Sequence, residues 1–316
     1  AGGGERNMKL GSRGIWASLE SLPLDAQLES ARRLEDLGYD TLWHPMAMQR
    51  DLMVICGRLL EATTTLRVAT GILPIFERVP AVMAAGQRTL DELSGGRFLL
   101  GLGVSHPPIV EQMHGLRYGP PVTSMRAYLD AMDRGPDMSI FLGPAAAPPA
   151  GEPVQTLPPR ILAALGPKMM ALSRDRAQGA HPYFMPPAHT GEAREILGPE
   201  ALLVPEVKVV LERDPTRARN AARAAGATNI ALENYRKSWR RFGLADEDFA
   251  DGGSDRLIDE LVGWGDADQI EAFLARHLEA GADQVCIHFV HPEGPQAGLD
   301  WRAIEALAPA RADAAR

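Results

Sequence analysis

Short apolar runs alternate with amphipathic stretches from one end of the chain to the other. The runs "RGIWAS", "DTLWHP", "LRVATGI", "RFLLGLGV", "RILAAL", "AHPYFM", "LLVPEVKVVLE" and "DQVCIHFV" are near-continuous rather than alternating. That is the signature of parallel strands covered on both faces. Between them the period changes to that of a helix. Leu24, Leu28, Ala31, Leu34 and Leu37 fall on one face, with Arg32, Arg33, Glu35 and Asp36 on the other. Ile270, Phe273, Leu274, His277 and Leu278 repeat the pattern after the acidic start Asp266-Ala-Asp268. "LEDLGYDTLWHP" and "LEAGADQVCIHF" share one grammar of helix end, stop glycine, Asp and strand, which predicts left-handed caps at Gly38 and Gly281. Eight such strands with intervening helices predict a single α/β domain, a (β/α)8 TIM barrel with insertions; an open doubly wound sheet shares the alternation.

The barrel is expected over residues 12–308, between an N-terminal extension or expression scar at 1–11 and a tail at 309–316. Two stretches interrupt the alternation. Residues 134–160, "RGPDMSIFLGPAAAPPAGEPVQTLPPR", are too long and too rich in Pro, Gly and Ala for an ordinary connection, and read as a disordered insertion or a lid. The other is a helical insertion from Pro215 to about Trp264. Within it "NYRKSWRRFG" mixes basic and aromatic residues and reads as a solvated helix face rather than a nucleic-acid or membrane contact.

Composition narrows the function. The chain has 316 residues, 45% of them hydrophobic, enough for a large core, and its formal charge of −8 argues against nucleic acid as a partner. Cys56 and Cys286 lie far apart inside apolar runs, as free thiols do in a reducing compartment. No apolar stretch is long enough to span a bilayer, and the N-terminal residues lack a signal-peptide core, so a cytoplasmic location is expected.

In a parallel barrel the chemistry gathers where strands end. "VATGILPIF" begins as a good strand and then breaks its own pattern at Gly71 and Pro74. "LDELSGGRFLLGLGVSHPP" removes side chains at Gly101 and Gly103 and ends on Ser105-His106. It is not a dinucleotide fingerprint, because His106 stands where the third glycine belongs. Glycines with a polar tip leave room for a bulky planar group, and a histidine there suits proton transfer near neutral pH. "ALGPKMM" places Gly166, Pro167 and Lys168 at a helix N-terminus, a ready anion site. His44 ends the second strand and His288 lies in the eighth, while Glu206 and Lys208 share one face of the seventh, as a buried ion pair would. The histidines have no metal-ligand spacing, and there is no nucleophile elbow.

Taken together, "LRVATGI", "LDELSGGRFLLGLG", "AALGPKMMALS" with "AQGAHPY", and "HLEAGADQVCIHF" resemble the luciferase-like monooxygenase superfamily, in particular its coenzyme F420-dependent oxidoreductases. The resemblance spans nearly the whole chain and implies a flavin or deazaflavin at the C-terminal mouth of the barrel. It implies a non-prolyl cis peptide at Gly71–Ile72 backing the cofactor ring, with Gly103, Val104, Ser105 and His106 beside it. It puts the phosphate-bearing tail near Ala164, Leu165, Gly166, Pro167, Lys168 and Met169. An acidic residue stands at the position of His106 in sugar-phosphate dehydrogenase relatives, which supports a proton-transfer role for His106. The chain also departs from the family: where many relatives end the second strand with an acid and a histidine, it has Met46 and Ala47. His44 is then the candidate substitute. The expected function is F420-dependent hydride transfer to or from a small, weakly polar substrate. The alternatives are FMN-dependent oxygenation and cofactor binding without catalysis. Dimers are common in the family, and no interface can be read from this chain.

Overall fold

The computed structural model describes residues 8–147 and 155–309. The expected N-terminal extension, the centre of the Pro/Gly/Ala-rich insertion and the tail therefore lie largely outside the described residues. The strands are β1 (Arg13–Trp16), β2 (Thr41–His44), β3 (Arg67–Thr70), β4 (Leu73–Pro74), β5 (Phe98–Gly103), β6 (Arg160–Leu162), β7 (Gly179–Ala180), β8 (Leu202–Leu203), β9 (Glu206–Val210), β10 (Val262–Trp264) and β11 (Val285–Phe289). All their pairings are parallel. They run in the order β10-β9-β11-β1-β2-β3-β5-β6-β7-β8, with β4 beside β5.

This order closes on itself. β8 and β9 are separated only by Val204 and Pro205, and residues 202–206 hydrogen-bond to both neighbours. On one side Leu202, Val204 and Glu206 donate to the carbonyls of Gln178, Ala180 and Pro182, at 2.7, 3.0 and 2.8 Å. On the other, Asp283 and Cys286 donate to Leu203 and Pro205, both at 2.9 Å. Residues 202–210 are thus one bulged strand, broken where Pro205 has no amide to give. The eight apolar runs become eight barrel staves, and the open-sheet alternative falls away.

Side chains alternate across the barrel wall. Trp43, Ala69, Leu99, Ile161, Leu202, Val204 and Cys286 point inward and pack as one buried layer. The floor beneath it depends on a missing side chain: a Cβ on Gly14 would meet the Gln284 amide at 2.5 Å and the Trp43 indole at 3.0 Å. With glycine there, Trp43 Nε1 donates to Gln284 Oε1 at 2.9 Å. The outward faces of the strands pack on the surrounding helices, among them Leu24–Asp36, Leu52–Ala62 and Ala267–Glu279. Gly38 and Gly281 have φ of 83° and 103° and stop their helices as expected. Leu24 of the predicted apolar face is exposed, and Gln27 and Ser30 are buried instead.

The helical insertion is less uniform than its sequence suggests. It contains helices Pro215–Ala231, Glu233–Arg240 and Asp255–Leu261 and ends in strand β10, too short to announce itself, which takes the β9 edge at Lys208–Val210. The "NYRKSWRRFG" helix is not solvated all round. Tyr235 and Trp239 are buried, with Trp239 Nε1 donating to Phe184 O at 3.0 Å. Its arginines are engaged: Arg240 pairs with Glu233 and Asp246, Arg241 pairs with Glu192, and Arg236 donates to Ile230 O. In the Pro/Gly/Ala-rich insertion, the described residues form short turns at Ser139–Leu142 and Pro144–Ala146, and Gln155 ties the chain to Met132 and Asp133.

Strand β5 approaches β3 so closely that a Cβ on Gly101 would lie 1.9 Å from Thr70 O. The Thr70 hydroxyl bridges the same contact, donating to Gly101 O at 2.7 Å and accepting from Gly101 N at 2.8 Å. Gly101→Ala must push the strands apart, and we expect a loss of about 1–3 kcal/mol or more in urea unfolding. Gly191→Ala, in a helix with open space at the Cβ position, is the control and should be neutral or stabilising.

Candidate active site

Above the Trp43 layer Trp16, Ala163, Tyr183 and His288 are only half buried, so the barrel has an open mouth at the C-terminal ends of its strands. Two kinds of residue line it. One arc, on the adjoining β3, β5 and β6, is nearly bare, with Gly71, Gly103 and Ala163 at the strand ends. Gly103 keeps Ile72 in place, since a Cβ there would meet Ile72 Cδ1 at 2.5 Å. The Gly71–Ile72 peptide bond is cis, as the family resemblance implies. The opposite arc is aromatic. Trp16 ends β1, Tyr183 follows β7, and His288 lies on β11. Trp16 stacks on His288 with centroids 4.2 Å apart and donates from Nε1 to Gly71 O at 2.8 Å, which joins the two arcs.

Beneath the aromatic arc lies a buried charge cluster. Glu206 Oε1 accepts from Lys208 Nζ and from His288 Nδ1, both at 2.7 Å, and Oε2 accepts from Phe184 N at 3.0 Å. Burial alone would raise the Glu206 carboxyl, but the Lys208 ammonium and His288 pull it down to about 2. Lys208 is fully buried and also lies over the rings of Tyr183 and Phe184, 3.9 and 4.3 Å from their centroids. His288 is held below its ordinary value by burial and by Lys208, against the pull of Glu206. The ion pair expected from the strand pattern exists, and His288 completes it.

The remaining sequence candidates separate. His106 follows Val104 and Ser105 at the end of β5; Ser105 takes φ 55°, and burial lowers the His106 imidazole. Its ring faces Tyr235 of the insertion at 5.7 Å. Ala164 to Met169 form the loop into helix Pro167–Arg176, with Lys168 exposed. Arg241 and His189 both reach Leu165 O, at 3.4 and 2.9 Å. His44 does not join the mouth. It shares the outward face of β2 with Leu42, and both nitrogens are engaged: Nε2 accepts from Leu19 N at 3.1 Å and Nδ1 bonds Pro45 O at 2.7 Å. The substitute role suggested for His44 therefore has no free atom to carry it. No cluster able to hold a metal ion occurs among the described residues.

Beside the mouth, Met46 and Ala47 line a cleft of about 550 Å³ with Phe76, Met113, Glu77 and His114. Sequence reasoning missed the partners of this wall, and it missed Tyr235, hidden in a stretch whose basic residues dominated its appearance. It also missed His181. This ring stacks on Trp43 at 4.4 Å, bonds Val204 O through Nδ1 at 2.6 Å, and keeps a buried Nε2 with no partner beside Gly71. A bare arc facing an aromatic one, with an orphaned nitrogen below, fits a flat heteroaromatic ring.

The family model for luciferase-like monooxygenases matches residues 9–284. The chain belongs to the luciferase-like monooxygenase family. A Mycobacterium tuberculosis protein provisionally named a coenzyme F420-dependent oxidoreductase is 31% identical over 61% of this chain and 60% of its own length. The 5,10-methylenetetrahydromethanopterin reductase of Methanolobus tindarius is 26% identical over 84% of this chain and 92% of its own. Among solved structures, the F420-dependent tetrahydromethanopterin reductase of Methanopyrus kandleri superposes with a TM-score of 0.73 at 19% identity, covering 96% of this chain and 98% of its own, a likeness of fold.

The buried histidines make a prediction about stability. His44, His106, His189 and His288 all lie below the ordinary value, His181 is lowered to about 4 and His277 to about 3, with burial the leading cause throughout. The unfolded chain binds these protons near pH 6.5 and the folded chain does not, so stability is complete above that pH and is lost below it. Glu35 and Glu206, both lowered to about 2, add a loss only below their ordinary value of 4.5. Urea midpoints should therefore fall between pH 7 and pH 5, each buried histidine removing up to about 1.4 kcal/mol per unit. A flat profile across that window would contradict the buried neutral rings. In the same assay Glu206→Gln, which strands Lys208, should cost about 3–5 kcal/mol, and adding Lys208→Met should recover much of it.

Proposed function

We propose that this protein is an F420-dependent oxidoreductase that moves a hydride between the deazaflavin and a small organic substrate. The observation that carries this reading is the mouth itself, with Gly71, Gly103 and Ala163 on one side and Trp16, Tyr183 and His288 on the other. F420, when bound, would supply a two-electron hydride donor or acceptor. The bare arc lets a planar ring lie against the backbone at Gly71–Ile72 and Gly103–Val104, where larger side chains would hold it off. Ser105 and His106 border the same place. Lys168, exposed in the first turn of helix Pro167–Arg176, suits an anionic tail, and Arg241 adds a second cation beside that loop. Met46, Ala47, Phe76 and Met113 give the neighbouring cleft an apolar part, which Glu77 and His114 border.

The test is a fluorescence titration of the purified protein with F420 and, separately, with FMN. Tight binding of F420 and weak binding of FMN are expected. Preference for FMN would replace hydride transfer with flavin-dependent oxygenation, and binding of neither would overturn the reading. Lys168→Ala should weaken F420 binding about tenfold, equivalent to ~1.4 kcal/mol, without changing the fold. Binding of F420 with no turnover over a broad panel would leave a cofactor-binding protein without catalysis.

A further inference from the structure

The buried carboxylate and the histidine at the mouth are arranged as a unit. Glu206 holds Nδ1 of His288 at 2.7 Å, and the face of the ring rests on Trp16 at 4.2 Å. Both contacts fix the plane of the imidazole. Glu206 is in turn fixed by Lys208 Nζ and by Phe184 N. A carboxylate that accepts the Nδ1–H selects the tautomer in which Nε2 carries a lone pair. That second nitrogen has no protein partner among the described residues, and the side chain retains 18% exposure at the mouth, whereas Glu206 and Lys208 have none. His106 has no such orienting bond among the described residues; its ring lies 5.7 Å from that of Tyr235, tilted by 48°. Met46 and Ala47 bring no titratable group to the end of β2.

We propose that His288 Nε2 is the proton-transfer atom of this active site, and that Glu206 is its positioning residue, with Lys208 holding Glu206 in place. The proposal rests on the F420 reading above and makes it more specific: the reacting carbon of the substrate bears oxygen. In the oxidative direction His288 Nε2 takes the hydroxyl proton of an alcohol while the carbon–hydrogen electron pair leaves as hydride to oxidised F420, and a carbon–oxygen double bond forms. Glu206 stabilises the imidazolium so produced. In the reverse direction the imidazolium returns the proton to the carbonyl oxygen as hydride arrives at carbon from reduced F420. Protons and electrons balance in both directions with the deazaflavin as the only redox partner.

His288 is held against Glu206 on β9 and Trp16 on β1, with Lys208 beside Glu206, Tyr183 against Trp16 and Lys208, and Cys286 two residues before it on its own strand. Only Glu206 and Lys208 carry charge near neutral pH, and their signs oppose.

Two measurements test the proposal. Nitrogen-15 NMR of histidine-labelled, cofactor-free protein, with His288→Gln to assign the signal, should show an Nδ1–H tautomer and an unprotonated Nε2 at pH 7. Protonation at lower pH should quench Trp16 fluorescence, and His288→Gln should abolish that step. An Nε2–H tautomer, or a charged ring at pH 7, would overturn the dyad whether or not F420 binds. The second measurement uses F420 with 2-propanol and cyclohexanol, and reduced F420 with acetone and cyclohexanone. His288→Gln should lower kcat by about a hundredfold or more. F420 affinity should stay within about threefold of wild type, the fold being checked by circular dichroism. Undiminished turnover in His288→Gln, or F420 binding with no turnover of any of these four compounds, would overturn the assignment. Failure of wild-type protein to bind F420 would remove the cofactor reading, and the NMR result would still judge the dyad.

Discussion

Glu206 is the residue on which both the barrel and its mouth depend. Its amide donates to Pro182 O and it pairs with Cys286 of β11, so it stands at the seam where the eighth stave meets the sheet. Its side chain then gathers Lys208 and the Phe184 amide, both buried, and His288, whose ring is partly exposed at the mouth. A carboxylate in such a place is tolerable only because its oxygens are satisfied and a cation lies beside it. The same bonds that make it tolerable also orient the histidine that reaches the mouth. The Glu206 backbone thus takes part in closure, and its side chain sets the charge and the orientation of His288.

The mouth works by contrast between its two arcs. Gly71, Gly103 and Ala163 strip side chains from β3, β5 and β6, while Trp16, Tyr183 and His288 crowd the other side. The Trp16 indole reaches across to Gly71 O, so the aromatic arc and the bare arc are one connected object. Below it the barrel is filled by the Trp43 layer, by His181 and by the Glu206–Lys208 pair, which leaves the space for ligand at the top.

Much of this was legible in the sequence, because period and punctuation are local. Near-continuous apolar runs marked all eight staves, and Gly38 and Gly281 marked helix ends. The break at Gly71 and Pro74 marked the strand end where the mouth begins, and Glu206 and Lys208 two apart on a strand read as an ion pair. What could not be read was which neighbour each residue meets. His44 ends one barrel strand and His288 lies next to the end of another, yet the first turns outward onto Leu19 and Pro45 and the second inward onto Glu206. The inward–outward phase of a short strand is set by register with its neighbours, not by its own residues. Tyr235 reached His106 through tertiary packing of an insertion whose arginines suggested solvent. Strand β10 was three residues long and lost within a helical stretch.

A crystal structure of the protein with F420 bears most directly on this account. It should place the deazaflavin ring in the mouth, against Gly71–Ile72 and Gly103, with His288 Nε2 facing the space left for substrate and Nδ1 still held by Glu206. A ring bound outside the barrel mouth, or His288 turned away from that space, would contradict it.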